Sequence, residues 1–165
     1  MIGITQLTEA DFDYLSPRID EWWGGRSMSA MLPRLWFKHF SETCFAARDD
    51  GGRPVGFLVG YVQNNDEATA YVHFIGVDPT TQRGRGLGRR LYQHFEEQVV
   101  SVGCSNIEAV TSPSNQSSLA FHEALGFVAV EPNGSTALPS EAQGVRDYDG
   151  AGEDRVLLRK SLSQR

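Results

Sequence analysis

The segment Arg83-Gly84-Arg85-Gly86-Leu87-Gly88-Arg89-Arg90 joins two stretches of different period. Upstream, Thr69 to Val77 reads as a strand that is apolar on both faces. Tyr71, Ile75 and Val77 lie on one face and Val72 and Phe74 on the other, the pattern of a central strand covered on both sides, and Asp78-Pro79 ends it. Downstream, Leu91, Phe95, Val99 and Val102 fall at spacings of four, four and three, which predicts an amphipathic helix from about Gly88 to Val102 that Gly103 stops. Three glycines at alternate positions between such elements let the backbone pass close to a ligand. Amides of the turn and of the first helical turn then converge, and the positive end of the helix makes them an anion site suited to a phosphate or pyrophosphate. The arginines add forked donors. The alternative is a charged loop or a short RGG-like nucleic-acid tract. A Walker A loop would need Gly-Lys followed by Ser or Thr, which the chain lacks, and G-x-G-x-x-G fails at Arg89 and at Leu91.

On the N-terminal side, Ile2 to Gln6 is a short strand, and Thr8 with Asp11 three residues on is a helix-start signal. That helix turns Phe12, Leu15 and Ile19 inward, with Pro17 limiting or kinking it, and Gly24-Gly25 stops regular structure. A second helix is expected from about Ser29, with Pro33 near its first turn. Thr43 to Arg48 and Pro54 to Gln63 are strands around the turn Asp49-Asp50-Gly51-Gly52. On the C-terminal side come a strand over Asn106 to Thr111, a helix over Asn115 to Leu125 stopped by Gly126, and strands at Phe127 to Glu131 and Asp154 to Lys160. Pro132 to Gly152 reads as a loop without period. The order β-α-α-β-β-β-α-β-α-β-β describes a single α/β domain over residues 1–165, with a mixed sheet of about seven strands and four helices.

The 165 residues, 40% hydrophobic and 22% charged, suit one globular domain that needs no staple. Fifteen Lys and Arg against 21 Asp and Glu, a formal net charge of −6, argue against nucleic acid as a partner and favour cationic ones. Cys44 and Cys104, each within a predicted element and without CxxC spacing, speak against a disulfide framework or a zinc site, and no metal is expected. No apolar run approaches the ~20 residues of a membrane-spanning helix, and the N-terminus is unlike a signal peptide. A cytoplasmic protein without a membrane partner is expected.

The turn after Val77-Asp78-Pro79, read as Arg83-Gly84-Arg85-Gly86-Leu87-Gly88, resembles the Gln/Arg-x-x-Gly-x-Gly/Ala motif of the GCN5-related N-acetyltransferase (GNAT) superfamily. A second signature of that family, an Asn, then a helix with an aromatic residue, then Leu-Gly-Phe, matches Asn115 to Phe127. The two motifs, their separation and the element order cover nearly the whole chain. The resemblance implies an open sheet whose two central parallel strands, Tyr71–Val77 and Asn106–Thr111, splay apart around acetyl-CoA. It implies that amides of the Arg83–Arg89 turn (Arg83, Gly84, Arg85, Gly86, Leu87, Gly88 and Arg89) hold the pyrophosphate. It also implies that backbone at Ile75, Gly76 and Val77 pairs with the pantetheine arm and that the Asn115 side chain holds that arm. Phe121 either packs beside the cofactor or belongs to the core. The implied reaction is direct transfer of an acetyl group from acetyl-CoA to the primary amine of a small molecule in a ternary complex. The alternatives are a peptide or protein amine as acceptor, or a non-catalytic acyl-CoA-binding domain. Homodimers are frequent in the family.

Two positions depart from the family pattern. The chain has His73 where the central strand often carries a Glu base, and His122 where a Tyr acid often follows the Asn by seven residues. Histidine can serve in either role near neutral pH. The alternatives are a hydrogen-bonded core residue for His73 and a residue that merely faces the cofactor for His122. The acceptor site of the family is built by the first helices and the loop before the last strand, here Trp22-Trp23-Gly24-Gly25-Arg26, the Trp36-Phe37 helix and Asp147 to Gly150, with Tyr148 and Asp149. Aromatic faces and carboxylates suit a cationic amine, and Arg26 could meet a carboxylate. The plainer alternative makes Trp22 and Trp23 caps of the core.

Overall fold

Thr8 opens the first helix as its spacing to Asp11 predicts: the Thr8 amide donates to Asp11 Oδ2 at 2.7 Å and its hydroxyl to the same oxygen at 2.9 Å. The computed structural model describes residues 1–80 and 84–162. They fall into two units, Met1–Val62 with Val72–Val102, and Gln63–Tyr71 with Gly103–Arg165.

In the first unit, strands β1 (Gly3–Gln6), β2 (Phe45–Arg48), β3 (Pro54–Val62) and the end of β4 (Thr69–Val77) are neighbours in chain order, with β1/β2 and β2/β3 antiparallel. Helix α1 spans Glu9–Trp22 and continues through Pro17. Leu15 and Ile19, fully buried on either side of Pro17, hold the helix against the ~3 kcal/mol that an interior proline costs. Its partners in the core are Leu32, Phe37, Ala46, Phe57, Val59 and Phe74. The expected second helix is instead a 3₁₀ turn at Ser29–Met31 and a single turn, α2, at Leu35–Lys38. Pro33 lacks the amide a continuous helix needs, and it holds Leu32 outside the helical region at φ −128°, ψ 64°. Helix α3 (Leu87–Ser101) buries Leu91, Phe95 and Val99 as their spacing predicts, but Val102, read as the fourth of that face, is its C-cap and lies exposed because the helix has already ended. Within β4, Val72, Phe74 and Gly76 are buried, but His73, Ile75 and Val77 are only half-buried, so the strand is not covered equally on both faces.

In the second unit, the start of β4 pairs in parallel with β5 (Asn106–Thr111), Thr69 to Tyr71 against Asn106 to Glu108. β5 continues antiparallel to β8 (Val156–Ser161), then β6 (Val128–Val130) and β7 (Thr136–Ala137). Among the described residues the strands therefore number eight rather than seven: β7 lies in the segment read as a loop without period, and two residues are too few to show a period. A 3₁₀ turn at Pro139–Glu141 follows, where the Glu123 carboxylate of helix α4 (Gln116–Ala124) accepts the amide and hydroxyl of Ser140 at 3.1 and 2.6 Å. Cys44 and Cys104 lie just outside regular elements rather than within them, and both are fully buried. Burial pushes the Cys44 thiol up to about 12. Among the described residues no helix is long and apolar enough to cross a membrane.

Candidate functional site

The glycine turn is where its spacing predicts, between β4 and α3. Asp78 closes the strand end, accepting the amide and hydroxyl of Thr80 at 2.8 and 2.7 Å. Arg83 lies outside the described residues. Gly84 (φ +79°) and Gly86 (φ +71°) occupy the left-handed region, and a Cβ built on either meets no atom within 4 Å. Backbone conformation, not crowding, therefore demands glycine at both, and the space above them is open. Gly86 is the N-cap of α3, whose first turn has neither a capping side chain nor an acidic residue. Among the described residues no side chain caps that turn, which leaves the Leu87 and Gly88 amides to donate to an anion. Leu87 is buried, and Arg85 and Arg89 are exposed. Arg90 donates to the Ile2 carbonyl at 2.8 Å.

His73 on β4 stacks on Trp36, ring centroids 4.5 Å apart and planes within 11°. Its Nε2 lies 2.6 Å from the Met31 carbonyl oxygen. A carbonyl can only accept, so Nε2 carries the proton and Nδ1 holds the lone pair. Phe40 and Tyr61 extend the aromatic group around Trp36, at 4.9 and 5.9 Å. Ile75 and Val77 are half-buried. Gly76 is closed in from the other side: a Cβ there would stand 2.4 Å from Trp23 Cη2 and 2.8 Å from Phe57 Cε1. Trp22 is 8% exposed and part of the core, Trp23 packs on Phe57 and Phe74, and Arg26 is exposed.

In the second unit, Asn115 caps α4. Its Oδ1 accepts the Ser118 amide at 3.2 Å and the Ser117 hydroxyl at 3.1 Å, which leaves the Nδ2 amide as the donor for any ligand. Two turns on from Asn115, His122 is buried, with Phe121 and Phe127 edge-on to its ring at 5.4 and 5.1 Å. Nδ1 donates to the Ser118 carbonyl at 2.8 Å. Burial holds the imidazole below its ordinary pKa against the opposing pull of that carbonyl, so His122 is neutral at pH 7. Tyr148 is exposed, and Asp149 forms an ion pair with Arg155 Nε at 2.7 Å.

Three features of the first unit escape a sequence reading: the Trp36–His73 stack, the Met31 carbonyl on His73, and the Asp20 carboxylate that accepts the Met28 and Ser29 amides, each at 2.8 Å. None has a periodic signal. Asp followed by paired glycines and a Ser is the one local hint, a carboxylate placed to bridge its own loop.

Comparison with known proteins bears on the same elements. L-2,4-diaminobutyric acid acetyltransferase of Nocardia farcinica is 37% identical over 91 residues, 55% of this chain and 46% of that protein. The protein of the same name from Halalkalibacterium halodurans is 33% identical over 88 residues, 53% of this chain and 46% of that protein. The chain thus spans about half the length of these relatives. The structure of yncA from Salmonella typhimurium, solved with its cofactor acetyl-CoA, has a TM-score of 0.70 at 16% identity, over 100% of this chain and 96% of that one. It shows the same fold. The model of the acetyltransferase (GNAT) family matches residues 5–127, which include the turn, all of β4 and the Asn115–Phe127 signature. On that match the chain belongs to the acetyltransferase (GNAT) family.

Proposed function

We propose that residues 1–165 act as one N-acetyltransferase domain that moves the acetyl group of acetyl-CoA directly to a primary amine of a small molecule. The observation that carries this reading is the glycine turn: two left-handed glycines under open space, leading into a helix whose first turn no described side chain caps. The amides of residues 83–89 would take the pyrophosphate, and Asn115 Nδ2 and the backbone of Ile75, Gly76 and Val77 the pantetheine arm. Relatives named for L-2,4-diaminobutyric acid make a diamino acid the first acceptor to try. Trp22, Trp23, Arg26, Tyr148 and Asp149 are the proposed acceptor-side residues, Trp22 and Asp149 acting by position because one is in the core and the other is paired with Arg155.

An amine attacks only when unprotonated. Its nitrogen forms the C–N bond at the thioester carbonyl as the C–S bond breaks, and CoA departs as the thiolate. The proton released by nitrogen goes to Nδ1 of His73, whose tautomer is set by the Met31 carbonyl. The acid for the thiolate is His122. Its lowered pKa leaves only a small fraction doubly protonated at neutral pH, so solvent shares that step.

The test is isothermal titration with acetyl-CoA, CoA and a nicotinamide dinucleotide, followed by thiol release with a panel of primary amines. One-to-one binding selective for CoA species, with amine-dependent thiol release, is expected. His73→Ala should lower turnover by about 10²–10⁴ at unchanged acetyl-CoA affinity, and His122→Ala by less. No binding overturns the cofactor assignment, and binding without amine-dependent release makes the chain a binder instead.

A further inference from the structure

The segment from Trp23 to Met31 is tied down along its length. At one end the Trp23 ring lies over Gly76 of β4, and the Trp23 carbonyl accepts the Arg26 amide at 3.4 Å. At the other end the Met31 carbonyl takes the Nε2 proton of His73, also on β4. Between them the Asp20 carboxylate accepts the amides of Met28 and Ser29 at 2.8 Å each, and the Ser29 hydroxyl at 3.3 Å. The amide of Met28 also reaches the Arg26 carbonyl at 2.9 Å, so the backbone at Arg26 is bonded on both sides. Gly24 (φ +68°) and Gly25 (φ +86°) supply the left-handed bend that raises the arc. The segment is a strap across the stretch of β4 that carries the candidate base, and Arg26 stands exposed on its free arc.

Most guanidinium groups of this unit are engaged. Arg34 pairs with Glu9 and Asp13, Arg48 with Asp11 and Arg53 with Asp49, while Arg18 and Arg90 donate to backbone carbonyls. Arg26 has no such partner among the described residues. In an acidic chain with carboxylates to spare, an unpaired arginine on a loop whose two ends meet β4 at Gly76 and His73 fits a ligand carboxylate through its planar fork. We infer that Arg26 reads the carboxylate of the acceptor, which makes the substrate class amino acids bearing a further primary amine rather than simple amines. This rests on the proposed acetyl transfer for its biological sense, but binding alone tests it.

The experiment titrates L-2,4-diaminobutyrate and 1,3-diaminopropane, which keeps both amines and lacks the carboxylate, into the unaltered chain and Arg26→Ala, each with CoA present. The unaltered chain should bind diaminobutyrate at least tenfold more tightly than diaminopropane. Arg26→Ala should lose that preference through weaker diaminobutyrate binding, with diaminopropane affinity within twofold, and Arg26→Lys should restore part of it. Equal affinity of the unaltered chain for the two ligands overturns the inference, as does no binding of diaminobutyrate or an equal effect of Arg26→Ala on both. Acetyl transfer to amines with and without a carboxylate at equal efficiency would uphold the acetyltransferase reading while removing this one; carboxylate-selective binding without thiol release would do the reverse.

Discussion

Asp11 shows how much one residue can decide. Burial alone would raise its pKa, but hydrogen bonds from Arg48 and from the amide and hydroxyl of Thr8, with the Arg48 charge, outweigh burial and hold the carboxyl below its ordinary value. Both terminal nitrogens of Arg48 reach it at 2.7 Å, one to each oxygen, and Nε of the same guanidinium donates to Thr5 Oγ1 at 2.9 Å. One carboxylate therefore starts α1 and ties that helix to β1 and β2. Asp11 is 6% exposed and Arg48 half-buried, so removing the carboxylate leaves the guanidinium with only its contacts to Thr5, Gly52 and Gln6. Asp11→Ala is expected to cost about 1.5–3 kcal/mol in urea unfolding, and Asp11→Leu with Arg48→Met less than the two single changes summed. Additive losses would show that the pair is not coupled. A similar division of labour sits at His73, where a carbonyl 42 residues away in sequence fixes which ring nitrogen can take a proton.

Two glycines of the first unit, next to and within the same turn-bearing region, are required for opposite reasons, and the difference appears only at the scale of elements. Gly76 belongs to β4 and is closed in by Trp23 and Phe57. Gly86 caps α3 under open space at φ +71°. Gly76→Ala should therefore destabilise the fold by about 1–3 kcal/mol through overpacking, with partial recovery when Trp23 is shortened to Leu. Gly86→Val should cost about 1–2 kcal/mol of backbone strain, leave the domain folded and abolish acetyl-CoA binding. Unfolding curves and acetyl-CoA titrations separate the two, and normal affinity in Gly86→Val would remove the pyrophosphate assignment. The sequence separates them less well. The glycine turn is legible because three glycines between a strand and a helix have few other uses, and β4 because its apolar residues run on to the Asp78-Pro79 stop. Ser29 to Lys38 was misread because its apolar residues keep a helical spacing that Pro33 forbids the backbone to follow. The strap was hidden because Asp20 meets its partners eight and nine residues on, a separation with no period.

For the whole molecule, two buried groups held below their ordinary pKa values, His122 and Asp11, contribute to how folding responds to acid. Folded His122 resists protonation because it is buried, whereas the unfolded chain takes up that proton near 6.5. Below that pH the unfolded state binds more protons, so His122 contributes stability that is complete above 6.5 and is lost as pH falls toward its folded pKa. Asp11 acts in the same direction lower down: its contribution is complete above 3.8 and is lost as pH falls through its depressed folded value. Thermal melts should be level above pH 7, begin to fall near 6.5, and fall again below 4. His122→Gln, which keeps a donor for the Ser118 carbonyl and cannot titrate, should flatten the first decline and leave the second. Asp11→Asn should reduce the second, which Asp20, Asp49 and Glu123 share, on a lower baseline because its neutral amide weakens the Arg48 contact. If His122→Gln and the unaltered chain lose the same Tm between pH 7.5 and 5.5, the buried imidazole is not the group that couples this fold to mild acid. The catalytic reading makes a matching demand on the same residue: the acid that lowers stability also raises the doubly protonated fraction of His122, so turnover per folded molecule should hold up better in mild acid when His122 is present than when it is Gln.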